Sequence, residues 1–356
     1  MWFGQKLYDF DGKTQFGKWK PYASRWEAFE DDCDLISVLE ICCTVADYEA
    51  WVKANKPKAR LNMPFSGPFY ADFDAPEDLP GLKLHLVTLL RDLIDEFGLQ
   101  EQDIQLWFSG AKGFHLLLPE ALFSPTGYSH RDLPRIYRDF GFALGLDEIM
   151  DHVVYSGGRG RLWRVEGKLR ENGCRKMPLT FAQLTNLTIP EIKRLSRASR
   201  PPSPIRGPKV RPNKGLCELF DEVVSLYEGN LRTRKQAAAA QMVDPNKAGS
   251  SGTNGQTEIE KLLDDLPPNA VEDYGDWLRV GMALHNESEG ATWGLALWDT
   301  WSRRSTKYNE EYLQATWDRF EMSEDGITLG TLFYMARRGR RAPRRANARP
   351  LVKGGN

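Results

Sequence analysis

The sequence predicts an α+β chain: a domain of mixed strands and helices around a mostly antiparallel sheet, followed by a small all-α helical bundle. Three observations carry that expectation. Short apolar strands alternate with amphipathic helical stretches up to about residue 200, a Pro-, Arg- and Ala-rich segment then interrupts the pattern, and beyond it the apolar spacing is helical throughout. With 356 residues and 41% hydrophobic content, the chain has material for one large core and one small one.

In the first part, Pro68 to Phe73 reads as an apolar strand, and Leu86, Leu89, Leu90, Leu93, Ile94 and Phe97 share one face of a following helix. Ile104 to Phe108 and Phe114 to Leu118 read as strands joined by a Gly-containing turn, which makes a hairpin. A helix over Leu133 to Leu144 and a basic strand beginning near Leu162 follow, while Ser24 to Ala50 reads as partly helical. Residues 200 to 215 are Pro- and Arg-rich, and Gln236 to Gln256 runs through an Ala block into Ala248-Gly249-Ser250-Ser251-Gly252, a composition unable to bury a core. Past it, Leu278, Met282 and His285, then Trp293, Leu297, Trp298 and Trp301, then Tyr312, Ala315, Trp317 and Phe320 mark helices whose tryptophans are expected in the core. The expected division is a mixed domain over 1–225, a flexible linker over 226–256, a helical domain over 257–338 and a basic disordered tail over 339–356.

The net charge of −1 conceals two positive clusters, from Lys193 to Lys214 and from Arg337 to Arg349. Distribution matters more than the total for nucleic-acid binding, although each run taken alone is equally explained as solvated linker or tail. Five cysteines without a CxxC pair predict neither a disulfide framework nor a closed zinc site. No stretch approaches the roughly 20 apolar residues of a membrane span, and Met1-Trp2-Phe3-Gly4-Gln5-Lys6 lacks a secretory pattern. A cytoplasmic protein with no membrane partner is expected.

Three segments could carry chemistry. In Phe69-Tyr70-Ala71-Asp72-Phe73-Asp74, alternation along a strand puts Asp72 and Asp74 on one face, where paired carboxylates suit a hard cation such as Mg²⁺ or Mn²⁺. In Ser109-Gly110-Ala111-Lys112-Gly113-Phe114-His115, glycines let backbone amides converge on an anion, beside a hydroxyl, an ammonium and an imidazole suited to phosphate oxygens. Asp151 precedes a glycine-rich stretch and the basic strand bearing Arg159, Arg161 and Arg164, with Lys168 and Lys176 beyond. A surface turn, a plain hairpin with a buried histidine and a charged edge strand are the unremarkable alternatives for the three.

Their order and company resemble the archaeo-eukaryotic primase superfamily, in particular the primase-polymerases of phages, plasmids and other mobile elements. The motifs of that family are a hydrophobic-Asp-hydrophobic-acid strand, a Ser-Gly-x-x-Gly-x-His turn and an Asp ahead of basic residues, matched here by Tyr70 to Asp74, Ser109 to His115 and Met150 to Lys168. The likeness covers about residues 60 to 180. Further on, Asp276 to His285, Trp298 to Ser302 and Ile327 to Leu332 are similar to the helical primase C-terminal domain that follows such catalytic domains.

The resemblance implies an RRM-like palm in which Asp72, Asp74 and Asp151 are catalytic and hold two divalent cations, Mg²⁺ or Mn²⁺. It implies that Ser109, Gly110, Lys112, Gly113 and His115, with Arg159, Arg161, Arg164 and Lys168, bind the nucleotide, His115 as a phosphate ligand rather than a base. The implied function is primer synthesis or strand extension from NTPs or dNTPs on a single-stranded DNA template, in a bacterial or phage-infected cell. Structural zinc is not expected, since no Cys lies between His115 and Asp151, and the lack of a G-x-x-x-x-G-K-[ST] motif leads us to expect unwinding from elsewhere, by a separate helicase as partner or by a region outside this sequence. The alternatives are a non-catalytic replication-initiation or nucleic-acid-binding protein with a primase fold, and a metal-dependent nuclease. The acids together with the Ser109, Lys112 and His115 set favour synthesis.

Overall fold

The computed structural model describes residues 1–10, 13–55, 62–155, 161–204, 209–243, 254–321 and 327–346. The chain divides into two compact units, Met1–Gly141 with Leu146–Asp221, and Phe142–Gly145 with Glu222–Asn356. It is a mixed α+β protein, and every strand pairing among the described residues is antiparallel. Among the described residues no helix is long and apolar enough to cross a membrane.

The first unit contains two four-stranded sheets. One has the order Leu162–Arg164, Leu35–Ser37, Trp2–Gln5, Lys20–Tyr22, and the other the order Met177–Leu179, Gln105–Phe108, Gly113–Leu118, Phe69–Asp74. The Phe69–Asp74 strand, one residue beyond the expected bounds at its end, is buried along almost its whole length. Alternation explains how it serves two layers. Phe69 meets Tyr137 and Phe140 of the helix Leu133–Ala143 edge-on at 5.8 and 5.4 Å, whereas Tyr70 stacks on Tyr155 at 5.1 Å and meets Trp163 of the other sheet at 6.2 Å, with Tyr137 also at its edge at 6.3 Å.

The helix Leu79–Phe97 follows this strand, starting well before the apolar face read from sequence. Asp78 caps it by accepting from the Gly81 N–H at 2.9 Å, and Gly98 ends it in the left-handed region at φ 62°. Its buried face is Leu79, Leu82, Leu86, Val87, Leu90 and Leu93.

The helix Lys214–Val243 runs through 226–243, which composition assigns to a linker. The physical reason is propensity: Ala237 to Ala240 and the long side chains before them are strong helix formers even without a core to bury. Likewise the helix Leu329–Ala346 continues into the basic stretch expected as a tail. Residues 244–253 of the linker and 347–356 of the tail lie outside the described residues, and 254–256 begin the helix Asn254–Asp264.

Helices Asn254–Asp264, Tyr274–Ser288, Thr292–Ser302, Glu310–Trp317 and Leu329–Ala346 enclose the core of the second unit, in which Trp298, Trp301 and Trp317 are buried with Val280, Leu284 and Leu332. The tryptophans therefore pack, as expected from their helical spacing. Gly281 is where two of these helices touch: a Cβ there would stand 2.5 Å from Cζ2 of Trp298. We expect Gly281→Ala to destabilise the protein by about 1–3 kcal/mol through overpacking, outweighing the ~1 kcal/mol helix-propensity gain of alanine. Thermal unfolding checks this, and a raised Tm would show that the indole yields.

Candidate active site

The second sheet brings the acidic strand against the glycine turn. Across the Phe69–Asp74 and Gly113–Leu118 pair, His115 lies opposite Asp72 and Gly113 opposite Asp74, and on the next strand Trp107 lies opposite His115. Side chains opposite one another share a face, so Asp72, His115 and Trp107 form one row. Gly113 permits this approach, since a Cβ there would fall 1.8 Å from the Phe73 carbonyl oxygen. Asp151 joins through its backbone, donating its N–H to the Asp72 carbonyl at 2.8 Å.

Asp72 is almost fully buried. Arg161 donates from Nε at 2.9 Å and lies 2.7 Å away through Nη2, both to Oδ2, while the Trp163 indole N–H donates to Oδ1 at 2.6 Å. Burial pushes the Asp72 carboxyl up, and Arg161 opposes that. His115 stacks face to face on Trp163 at 4.5 Å. Burial, then the positive Lys176, Arg161 and Arg170, hold its imidazole well below the usual range. A neutral ring 3.9 Å from Asp72 makes neither an ion pair nor a hydrogen bond, and its Nδ1 has no partner among the described residues.

Beneath them lies Lys176, fully buried, its ammonium over the Trp163 ring at 4.2 Å and the Trp107 ring at 5.0 Å. Its Nζ has no hydrogen-bond partner among the described residues, and burial holds its pKa well below the lysine range although Asp72 pulls it upward. The folded state therefore gives up this proton more readily than the unfolded chain does, so this group makes stability rise with pH up to the unfolded lysine value of about 10.4. We expect the pH dependence of Tm between neutrality and that value to be flatter in Lys176→Met than in the wild type, and an unchanged slope would contradict this.

Asp74 and Asp151 stand apart from this cluster. Asp74 pairs with Lys112 at 2.9 Å, and the Asp151 carboxylate accepts from the Val153 N–H at 3.0 Å. Both line a pocket of about 600 Å³ whose wall also includes Asp78, His85, Glu148 and Met150. Two hard cations need carboxylate oxygens converging on them. Among the described residues no group of three His, Cys, Asp or Glu side chains is placed to hold a metal ion. The three-carboxylate set thus does not fit a two-ion site as these side chains stand, because Arg161 and Trp163 engage Asp72, whereas Asp74 and Asp151 share one wall.

The remaining residues take varied positions. The Ser109 hydroxyl accepts from the N–H groups of Gly113 at 3.2 Å and Ala111 at 3.4 Å, so it closes the turn on itself. Gly110 sits at φ 85°, packed against Arg170 and Arg175. Lys168 turns to Asp32 at 2.6 Å and Asp34 at 3.5 Å. Arg164 is half-buried, its pKa lowered by burial and next by Arg170. Arg159 lies outside the described residues. Sequence reading passed over Trp163, and the signal that could have found it is a lone indole between Arg161 and Arg164 on a three-residue strand.

Residues 259–336 match the family described as Primase C terminal 2 (PriCT-2). These findings support a primase-related family. Over 93% of its length the chain is 23% identical to the 184R protein of Invertebrate iridescent virus 6, named as a candidate helicase, and spans 34% of that protein. Over 22% of its length it is 30% identical to the 022R protein of Frog virus 3 (isolate Goorha), also named as a candidate helicase, spanning 8% of it. The chain therefore covers about a third of the first relative and a smaller part of the second. No solved structure matches.

Proposed function

We propose that the chain is a primase-polymerase of the archaeo-eukaryotic type, joining NTPs or dNTPs into a strand on a single-stranded DNA template. The observation that carries this reading is convergence of backbones: segments 72–74, 109–115 and 151, far apart in sequence, adjoin through the His115–Asp72 register and the Asp151 N–H to Asp72 hydrogen bond, with the Asp74 and Asp151 side chains lining one neighbouring pocket. In this proposal the first unit is the catalytic palm. Lys112 releases Asp74 to meet a phosphate, and the Gly110–Gly113 turn lets the nucleotide approach closely. Divalent cations belong to the proposal, and Asp74 and Asp151 are the residues that would hold one.

The reading is tested by incubating the purified protein with single-stranded DNA, primed and unprimed, labelled NTPs or dNTPs, and Mg²⁺ or Mn²⁺. Elongating products from unprimed template make it a primase, and products from primed template alone make it a polymerase. One observation favours a second reading, a non-catalytic DNA-binding protein with a primase fold: both carboxylate oxygens of Asp72 are already engaged by Arg161 and Trp163. DNA binding without synthesis under any of these conditions would establish that reading instead.

A further inference from the structure

The first unit carries a basic surface that begins at the glycine turn and ends at a helix which sequence alone placed in the Arg-rich run before the linker. Thr188 and Glu191 form a capping box that starts the helix Ile189–Arg197, and Ile189, Ile192 and Ser196 bury its inner face. Arg194 and Arg197, three residues apart, are both exposed.

This helix is tied to the glycine turn by the loop 167–175. The Arg175 N–H donates to the Ser196 carbonyl at 2.9 Å, and its guanidinium donates to the carbonyls of Arg197 at 2.9 Å and Ala198 at 3.4 Å. At the other end of the loop, Arg170 donates to the Ser109 carbonyl at 3.0 Å and Asn172 to the Gly110 carbonyl at 2.9 Å. Lys112 projects from the same turn, its side chain 57% exposed.

Basic side chains in a last helical turn have an ordinary explanation, because they complement the helix dipole. Here Arg175 already supplies that charge to the terminal carbonyls. Neither the Arg194 nor the Arg197 guanidinium is taken by a hydrogen bond or an ion pair among the described residues. Lys112, Arg170, Arg175, Arg194 and Arg197 thus form one connected surface, with Glu171 an acid within the loop. Two exposed guanidiniums, joined through the half-buried Arg175 and Arg170 to the turn that carries Lys112, are complementary to a polyanion with regularly spaced charges.

We propose that this surface is a track for the sugar-phosphate backbone of single-stranded nucleic acid, along which Arg194 and Arg197 guide the strand towards the Ser109–Gly113 turn. Taking that strand as the template rests on the function proposed above, but the binding itself does not. Phosphate contacts give affinity and register without sequence preference, as a template path requires.

The test is binding of the full chain to a fluorescent single-stranded oligonucleotide over a salt series, beside Arg194→Gln/Arg197→Gln and Arg194→Lys/Arg197→Lys. Losing two phosphate contacts should lower the slope of log K against log salt by about 1.4 and weaken binding roughly tenfold at low salt. The lysine pair should keep the wild-type slope, because phosphate neutralisation needs the charge and not the guanidinium. Unchanged slope and affinity in the glutamine variant, or no binding by the wild type, would overturn the track. Strand synthesis measured alongside separates the two readings. Synthesis with an unaltered slope removes the track and leaves the polymerase, whereas an altered slope without synthesis removes the polymerase and leaves the track.

Discussion

Replacing Asp74 with alanine is expected to lower nucleotide incorporation on single-stranded DNA by on the order of 10³-fold, the size of losing a group that places charge at a phosphoryl-transfer site. The fold should barely register the change. Asp74 ends its strand, and it pairs with Lys112, whose side chain is 57% exposed. A pair so open to solvent contributes at most about 1 kcal/mol. Initial rates of labelled-nucleotide incorporation, with a melting curve on the same preparation, check both halves. An Asp74→Ala protein that melts like the wild type and polymerises within a few-fold of it would remove Asp74 from the chemistry. The neighbouring Asp72 offers no such clean test, because a substitution there also opens the contacts with Arg161 and Trp163.

The largest stability effect is expected at Arg161. Its guanidinium meets a carboxylate whose side chain is 2% exposed, while its own is 39% exposed. Arg161→Gln leaves that carboxylate with the Trp163 indole as its remaining charge-stabilising hydrogen bond. Breaking a buried pair on one side costs about 3–5 kcal/mol, and the solvent around Arg161 places this case near the lower end. The sign of the pH dependence follows from the Asp72 carboxyl, which burial already pushes up and the loss of Arg161 pushes further. A carboxyl with a raised folded-state pKa is penalised as pH rises through that value, so the variant should lose most stability at neutral pH and less at acid pH, where Asp72 takes up a proton. Adding Asp72→Asn should restore much of the loss. Urea unfolding at pH 7 and pH 5 reads this directly, and an equal loss at both, with no recovery in the double variant, would contradict it.

The Asp72 contacts also show where sequence reading stops. The strands around Tyr70 to Asp74 and Phe114 to Leu118 were legible because they are apolar runs bounded by glycine and proline, and the core face of Leu79–Phe97 because its leucines recur at helical spacing. Strands such as Leu35–Ser37 and Met177–Leu179 are three residues long, too short for any period to appear, whereas Leu162–Arg164 was marked by its basic residues. Their sheets are built by pairings between segments distant along the chain, and no local pattern records a partner 89 residues away, which is the separation of Arg161 from Asp72. Composition misled in one direction only. Segments rich in Ala and Arg lack apolar residues to bury, yet they extend helices begun elsewhere, as Lys214–Val243 and Leu329–Ala346 do. The candidate chemistry was therefore visible as residue types, and its electrostatic arrangement was not. Asp72 and His115 carried a signal, whereas Trp163 and the buried amine of Lys176, which set their surroundings, acquire meaning only through the packing of two sheets.

Template-directed nucleotidyl transfer requires the template base to choose the incoming nucleotide. Homopolymeric single-stranded DNA templates are offered to the protein with each of the four nucleotides singly, and products are resolved by length. Each template should support strand growth only with its complementary nucleotide. Growth indifferent to the template base, or none with any pairing, would contradict it.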